Sequence, residues 1–285
     1  MTNTVNRKTI LITGCSSGIG RCAALTLQAR GYRVFATARR PDDVTELAAL
    51  GLESLLLDLD NSDSINQAVT EILARTGGKL DALFNNAAYG QAGAVEDLTR
   101  EAMRAQFETN LFGTLELTNC ILPVMRQQGH GRIVFNSSVL GLIALPYRGA
   151  YNATKFALEG LCDTLRLELA DTPLKIVLIE PGPIESRFRA NAHLAYQRYI
   201  NREQSPHRDK YLAMERRLTQ QNSTAAFTLP PDAVVEKLIH ALEHPRPQPR
   251  YYVTVPTHLF GFLRRFFSTR MMDTVALRVS RGEHK

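Results

Sequence analysis

Tyr151 and Lys155 stand at i and i+4 in the run Tyr151-Asn152-Ala153-Thr154-Lys155, so a helix there places the phenol and the ammonium on one face. A phenol with a reference pKa of about 10 is a poor acid–base group at neutral pH, but a neighbouring ammonium favours the phenolate and lowers that value. Proton exchange with a substrate oxygen is the chemistry such a pair offers. Ser138, thirteen residues earlier, supplies a hydroxyl suited to holding a carbonyl or alcohol oxygen. Taken alone, a Tyr and a Lys at this spacing are far more often surface residues than catalysts.

A second group of residues suits a phosphate. Thr13-Gly14-Cys15-Ser16-Ser17-Gly18-Ile19-Gly20 follows an apolar run and leads straight into a helical pattern. Glycines there let the backbone turn sharply and approach a pyrophosphate, which the free N–H groups of the helix start then face. The spacing is Gly-x-x-x-Gly-x-Gly, and a ligand-free strand-to-helix turn is its plain alternative. About 20 residues further on, a dinucleotide fold that prefers NAD carries a carboxylate for the ribose. This chain has Ala36-Thr37-Ala38-Arg39-Arg40 instead. A guanidinium matches a 2′-phosphate in charge and fork geometry, which predicts NADP(H); the other reading is two arginines covering a solvated strand end.

Alternating strands and helices must position these groups. Apolar runs near 8–13, 32–38, 53–58, 80–85, 131–137 and 174–180, with Tyr251 to Val255 as a seventh, read as strands covered on both faces. Helical patterns lie near 18–30, 43–50, 62–76, 99–127, 150–170 and 231–243. Pro41-Asp42-Asp43 and Asn61-Ser62-Asp63 supply turn and N-cap chemistry. The rhythm predicts an α/β fold: one doubly wound Rossmann domain over residues 1–255, with a mostly parallel seven-stranded sheet and helices on both faces. Residues 183–229 break the rhythm and read as a substrate lid. Prolines at 245, 247 and 249 form a stiff connector towards a basic, aromatic-rich extension, 256–285.

Charge and cysteine usage exclude several classes. The 34 Lys and Arg exceed the 28 Asp and Glu by six, and residues 245–285 alone carry eight basic side chains against Asp273 and Glu283. The main body is thus electroneutral, which argues against nucleic acid as a partner. Cys15, Cys22, Cys120 and Cys162 have no paired spacing, and His193 and His207 have no ligand partners nearby in sequence, so no metal site is expected. No signal-peptide core or long apolar run occurs, which predicts a soluble, cytoplasmic protein.

Together the glycine pattern, Asp58 after the third strand, Asn85-Asn86-Ala87, Asn110, Ser138, Tyr151 with Lys155, and Pro181-Gly182 resemble the short-chain dehydrogenase/reductase family over roughly residues 8–255. The Cys-Ser-Ser loop and the Ala-Thr-Ala-Arg strand end are similar to its NADP-preferring branch of hydroxysteroid and retinol dehydrogenases. Glu180-Pro181-Gly182-Pro183-Ile184 is similar to bacterial aldehyde and ketone reductases. The resemblance implies Tyr151 as proton donor or acceptor, Lys155 as ribose ligand and pKa modifier, Ser138 as ligand of the substrate oxygen, and Asn110 as the residue fixing a water beside Lys155. It assigns the cofactor to Gly14, Ser16, Ser17, Gly18, Ile19, Gly20, Arg39, Asp58, Leu59, Asn86, Ala87, Tyr151, Lys155, Pro181, Gly182 and Ile184. Ala88 departs from the family, which usually has Gly there, and its methyl could crowd the cofactor.

The expected activity is NADP(H)-dependent reduction of an aldehyde or ketone, or oxidation of the corresponding alcohol. A catalytically silent NADP(H)-sensing or scaffold protein is the alternative. Leu140, Leu142, Ile143, Leu145 and Tyr147, with Phe188, Leu194, Tyr196, Tyr199 and Phe227 of the lid, either line an apolar pocket for a lipophilic small-molecule substrate or belong to the core. Eight lid cations, Arg187 to Arg217, either attract an acidic substrate group or cover a solvated face. Family resemblance implies a homodimer or homotetramer. The tail meets a membrane surface, packs on the body, or meets a second subunit.

Overall fold

The computed structural model describes residues 7–219 and 226–282, so parts of the predicted lid, of the tail and of the N-terminus lie outside the described residues. In chain order the elements are β1 (Thr9–Ile12), α1 (Gly18–Ala29), β2 (Arg33–Ala38), α2 (Pro41–Ala49), β3 (Glu53–Leu56), α3 (Ser62–Thr76), β4 (Ala82–Asn85), α4 (Arg100–Phe107) and α5 (Gly113–Gln128). There follow β5 (Arg132–Asn136), α6 (Gly149–Glu168), β6 (Lys175–Glu180), α7 (Phe188–Tyr199), α8 (Arg208–Thr219), α9 (Asp232–Glu243), β7 (Arg250–Tyr252), α10 (Val255–Phe266) and α11 (Thr269–Gly282). The seven strands form one sheet in the order β3-β2-β1-β4-β5-β6-β7, parallel at every pairing.

Side chains alternate across this sheet with a period of two and feed separate cores. On one face Ile10, Ile12, Val34, Ala36 and Phe84 pack with Ala23 and Leu27 of α1 and Val234 and Leu238 of α9. Leu11, Phe35, Leu83, Ile133 and Phe135 face the other way, onto Ile65, Leu117, Ile121 and Leu158. Burial of each such side chain stabilises the fold by about 1.5–3 kcal/mol. Both faces are therefore apolar, as the near-continuous hydrophobic strands anticipate.

Several boundaries differ from the sequence expectation, each for a local reason. The long helix expected near 99–127 is interrupted by a π-helical segment, Glu108–Phe112, which turns Asn110 inwards. The seventh strand ends at Tyr252, because Val255-Pro256 opens α10 and proline suits a first helical turn. Asn61 caps α3 as expected, accepting from the Ser64 N–H at 3.1 Å. At α2, by contrast, Arg40 is the N-cap residue and Asp42 and Asp43 lie within the first turn.

The lid is folded and docked. Its α7 and α8 build a small core of Ala192, Tyr196, Ile200, Tyr211, Met214 and Leu218 that closes on Ala92 and Ala94. Tyr211 is wholly buried; its hydroxyl accepts from the Ala94 N–H at 2.8 Å and donates to Asp97. Among the described residues, no helix is long and apolar enough to cross a membrane.

Candidate active site

The carboxyl ends of β1 and β4 mark the point where strand order reverses, and the glycine loop sits there. Gly14 and Gly18 have φ of +72° and +54°, a region costly for side-chain-bearing residues. A Cβ on Gly14 would stand 2.9 Å from the Ala87 Cα, so the loop lies directly on the end of β4. It enters α1 at Ser17, whose side chain makes no capping bond, leaving first-turn N–H groups directed at an anion. The bare loop and this donor set fit a dinucleotide pyrophosphate.

Arg39 is exposed just beyond β2 and has no ion pair among the described residues. Arg40 is engaged elsewhere, donating to both Asp43 carboxylate oxygens at 2.9 and 2.8 Å. The two arginines, equivalent in sequence, therefore separate into one structural and one available guanidinium. Asp58 accepts from the Asp60 N–H at 3.2 Å, and Leu59 beside it is buried.

A hydrogen-bonded path joins the glycine loop to Lys155. Asn86 donates from Nδ2 to the carbonyls of Thr13 (2.9 Å) and Gly14 (3.3 Å), while its Oδ1 accepts from Asn136 Nδ2 at 3.0 Å. The Asn136 carbonyl in turn accepts from Lys155 Nζ at 2.7 Å. Ala87 contributes its N–H to Thr13 Oγ1 at 2.9 Å. Asn136 escaped the sequence reading, although a polar Asn-Ser-Ser end on an apolar strand was its visible mark.

Tyr151, Ser138 and Lys155 are all buried and meet at the end of β5. Ser138 accepts from the Leu140 N–H at 3.1 Å, which fixes its hydroxyl, and a hydrogen bond from Ser138 lowers the proton affinity of the Tyr151 phenol. Burial outweighs that bond and pushes the phenol up to about 12. The ammonium of Lys155 is pulled down by burial to about 8, against the opposing charge of Glu159 one turn on. The expected lowering of Tyr151 by Lys155 is thus absent: Nζ lies 5.6 Å from the phenol ring centroid and points at the Asn136 carbonyl. Asn110 holds the Tyr89 backbone through Oδ1 (3.1 Å) and Nδ2 (2.9 Å) and reaches Thr154 Oγ1 at 3.2 Å. It braces the second turn of α6 against the loop after β4.

Pro181 accepts from the Val139 N–H at 2.8 Å, tying the Pro181-Gly182 turn to the residue after Ser138. Ile184 pairs with Leu229 and packs against the core beneath. A Cβ on Gly18 would stand 3.0 Å from the Ser186 Cβ, so the start of the lid abuts the glycine loop.

The apolar wall beside Tyr151 draws on distant segments. Leu140, Leu142, Ile143 and Tyr151 cluster with Phe260 of α10, and Met272 and Val275 of α11 pack against them. The Phe188 ring lies edge-on to Tyr151 with centroids 5.2 Å apart. Phe260, Met272 and Val275 were missed as wall residues because the tail reads as an appendage. Of the lid apolar set, Tyr196 belongs to the core, whereas Leu194 and Phe227 are 65% and 60% exposed. Arg202 and Arg208 pair with lid carboxylates, Glu203 and Glu215.

A carboxylate cluster lies behind Lys155. Arg250 donates to Glu159, to Glu180 at 2.5 Å and to Asp163 at 2.6 Å. Glu180 is fully buried; burial and the charge of Glu159 push its carboxyl up to about 8.

Comparison with known proteins adds a context to this geometry. The sequence profile described as short chain dehydrogenase matches residues 8–197. The chain is 42% identical over 275 residues to "Uncharacterized oxidoreductase YbbO" of Escherichia coli (strain K12), covering 96% of each chain. It is 33% identical over 263 residues to 17-beta-hydroxysteroid dehydrogenase type 1 of Homo sapiens, covering 87% of this chain and 78% of that one. Among solved structures, a short chain dehydrogenase/reductase from Burkholderia phymatum in complex with NAD superimposes with a TM-score of 0.76 at 25% identity, over 90% and 92% of the two chains. A variant of actinorhodin polyketide ketoreductase with NADPH superimposes with a TM-score of 0.70 at 26% identity, over 87% and 96%.

Proposed function

The chain belongs to the short-chain dehydrogenase family and is an oxidoreductase of a nicotinamide dinucleotide, and from that premise we propose that it reduces a lipophilic aldehyde or ketone with NADPH, or oxidises the corresponding alcohol with NADP⁺. The observation that carries this reading is the buried Tyr151 phenol, bonded to Ser138 and flanked by a Lys155 that is itself linked to the glycine loop.

Bound at that loop, the dinucleotide supplies the hydride. Gly14, Ser16, Ser17, Gly18, Ile19 and Gly20 receive its pyrophosphate, Asp58 and Leu59 its adenine, and Pro181, Gly182 and Ile184 border the nicotinamide. Asn86 and Ala87 support the loop. Arg39 receives the 2′-phosphate, since Arg40 is held by Asp43. Lys155 bonds the ribose, and Asn110 fixes a water beside it.

Ser138 holds the substrate oxygen while Tyr151 gives it a proton, leaving a phenolate that the Ser138 hydroxyl stabilises. Burial keeps the Tyr151 phenol protonated at neutral pH, so the proton that carbonyl reduction consumes is present on it. Apolar Leu140, Leu142, Ile143, Phe188 and Phe260 suit a lipophilic substrate, and the relative named for a hydroxysteroid supports that class. Residues 1–255 act as the dinucleotide-binding domain with 183–229 as its lid, and Phe260, Met272 and Val275 of the 256–285 extension complete the pocket wall. Exposed Phe112 and, on neighbouring α6, Phe156, Leu161 and Leu167 support a homodimer or homotetramer.

The test is NADPH oxidation, followed optically, across a panel of medium-chain aldehydes, aromatic ketones and ketosteroids. Turnover on apolar members, with NADPH preferred to NADH, is the expected result. Silence across the panel with tight NADPH binding overturns it in favour of a sensing or scaffold role.

A further inference from the structure

The outward side of the two C-terminal helices carries an apolar stripe set among cations. Val255, Leu259, Phe262 and Phe266 follow one another at i, i+4, i+7 and i+11, which at 100° per residue confines them to about 60° of the α10 surface. They are 58%, 50%, 59% and 69% exposed, and the rings of Phe262 and Phe266 lie 4.9 Å apart by centroid. Solvent-facing phenylalanines this densely placed are unusual on a surface otherwise mixed in polarity. The opposite side of α10, with Thr257, Phe260 and Gly261, is buried on the Tyr151 wall.

Helix α11 rests on the same wall through Met272 and Val275, which leaves its other side exposed. That side carries Arg270, Leu277 and Arg278, all exposed, and Arg265 flanks the stripe itself. The arginines of the tail, which sequence spreads around the helical circumference, are sorted by the fold. Arg264 turns to the body, where it donates to the Leu142 carbonyl at 2.6 Å and stacks on Phe156. Arg250 is held by the buried carboxylates. Arg265, Arg270 and Arg278 remain outside, with Asp273 the lone acid in 255–280.

We propose that this face, Val255, Leu259, Phe262 and Phe266 with Arg265, Arg270 and Arg278, seats the protein on an anionic lipid surface. Apolar side chains enter the acyl boundary while guanidinium groups meet lipid phosphates. Charge chooses this occupant: a second copy joined through the same face would set the two groups of arginines against each other with almost no carboxylate between them. The seat lies on the reverse of the helix that walls Tyr151.

The experiment is sedimentation of the full chain with phosphatidylglycerol–phosphatidylcholine vesicles and with phosphatidylcholine vesicles, alongside size-exclusion light scattering. Wild type is expected to pellet with the anionic vesicles only and to be released by raised salt. The double variant Phe262→Ser, Phe266→Ser should retain NADPH binding and lose at least tenfold in bound fraction. Arg265→Glu, Arg270→Glu should lose binding likewise and serves if the first variant fails to fold. Wild type left in the supernatant, equal pelleting of the variants, or a fall in native mass on Phe262→Ser, Phe266→Ser, which would make the stripe a subunit contact, each overturns the proposal.

Discussion

Burial moves Tyr151 and Lys155 in opposite directions, holding the phenol's proton more tightly and the ammonium's more loosely. The sign matters for activity. Lys155 is charged only below its own pKa, so the cation that bonds the ribose is present at neutral pH and is lost as pH rises through about 8. The kcat/KM profile for carbonyl reduction is therefore expected to fall above that pH; a flat profile to pH 10 would contradict it. Arg39 and Arg40 separate the two cofactors in the same way. Arg39→Ala should weaken NADPH by roughly 10–100-fold, as loss of a charge-assisted phosphate contact does, and leave NADH unchanged, while Arg40→Ala should leave both near wild type. Fluorescence titration of the four pairs reads this directly. The proposed catalytic residues were legible because their types and spacing are dictated by the chemistry. Asn136 was not, because it holds Lys155 through a backbone carbonyl, which any residue carries, and uses its side chain only towards Asn86.

Strands were the legible elements: burial on both faces leaves Ile, Leu, Val and Phe in runs that helices do not share. Helix continuity was harder to read. Nothing in the apolar period of 99–127 marks the π-helical segment, since its cause is tertiary, the contact of Asn110 with Tyr89 and Thr154. The lid was recognised by length and proline punctuation, but its docking depends on side chains far apart in sequence. Tyr211 joins Ala94 and Asp97. Its substitution by Phe leaves a buried N–H and a carboxylate without that partner, a loss of about 1–3 kcal/mol. Urea denaturation of Tyr211→Phe should show that loss, with KM raised more than kcat is lowered. An unchanged KM would mean that the lid does not shape the pocket.

Over the whole molecule, the tail closes the wall on which Tyr151 sits, so stability and substrate binding are coupled through Phe260. Phe260→Ala should cost about 3–5 kcal/mol, visible as a lowered Tm, and raise KM for apolar carbonyls. The cluster behind Lys155 sets a second global property. The carboxyl of Glu180 rises from 4.5 to about 8 on folding. Between those values the folded chain keeps a proton that the unfolded chain has released, so stability from this group is full at acid pH and is lost as pH climbs through the window. Thermal melts from pH 5 to 8 should show a decline that Glu180→Gln flattens; parallel curves would place the proton elsewhere.

Comparison of wild type with Tyr151→Phe, in kcat/KM for a carbonyl substrate and in NADPH affinity, bears most directly on the phenol as proton donor. A fall of roughly 10²–10⁴-fold in turnover with NADPH binding preserved is expected. Full turnover in the variant would contradict it.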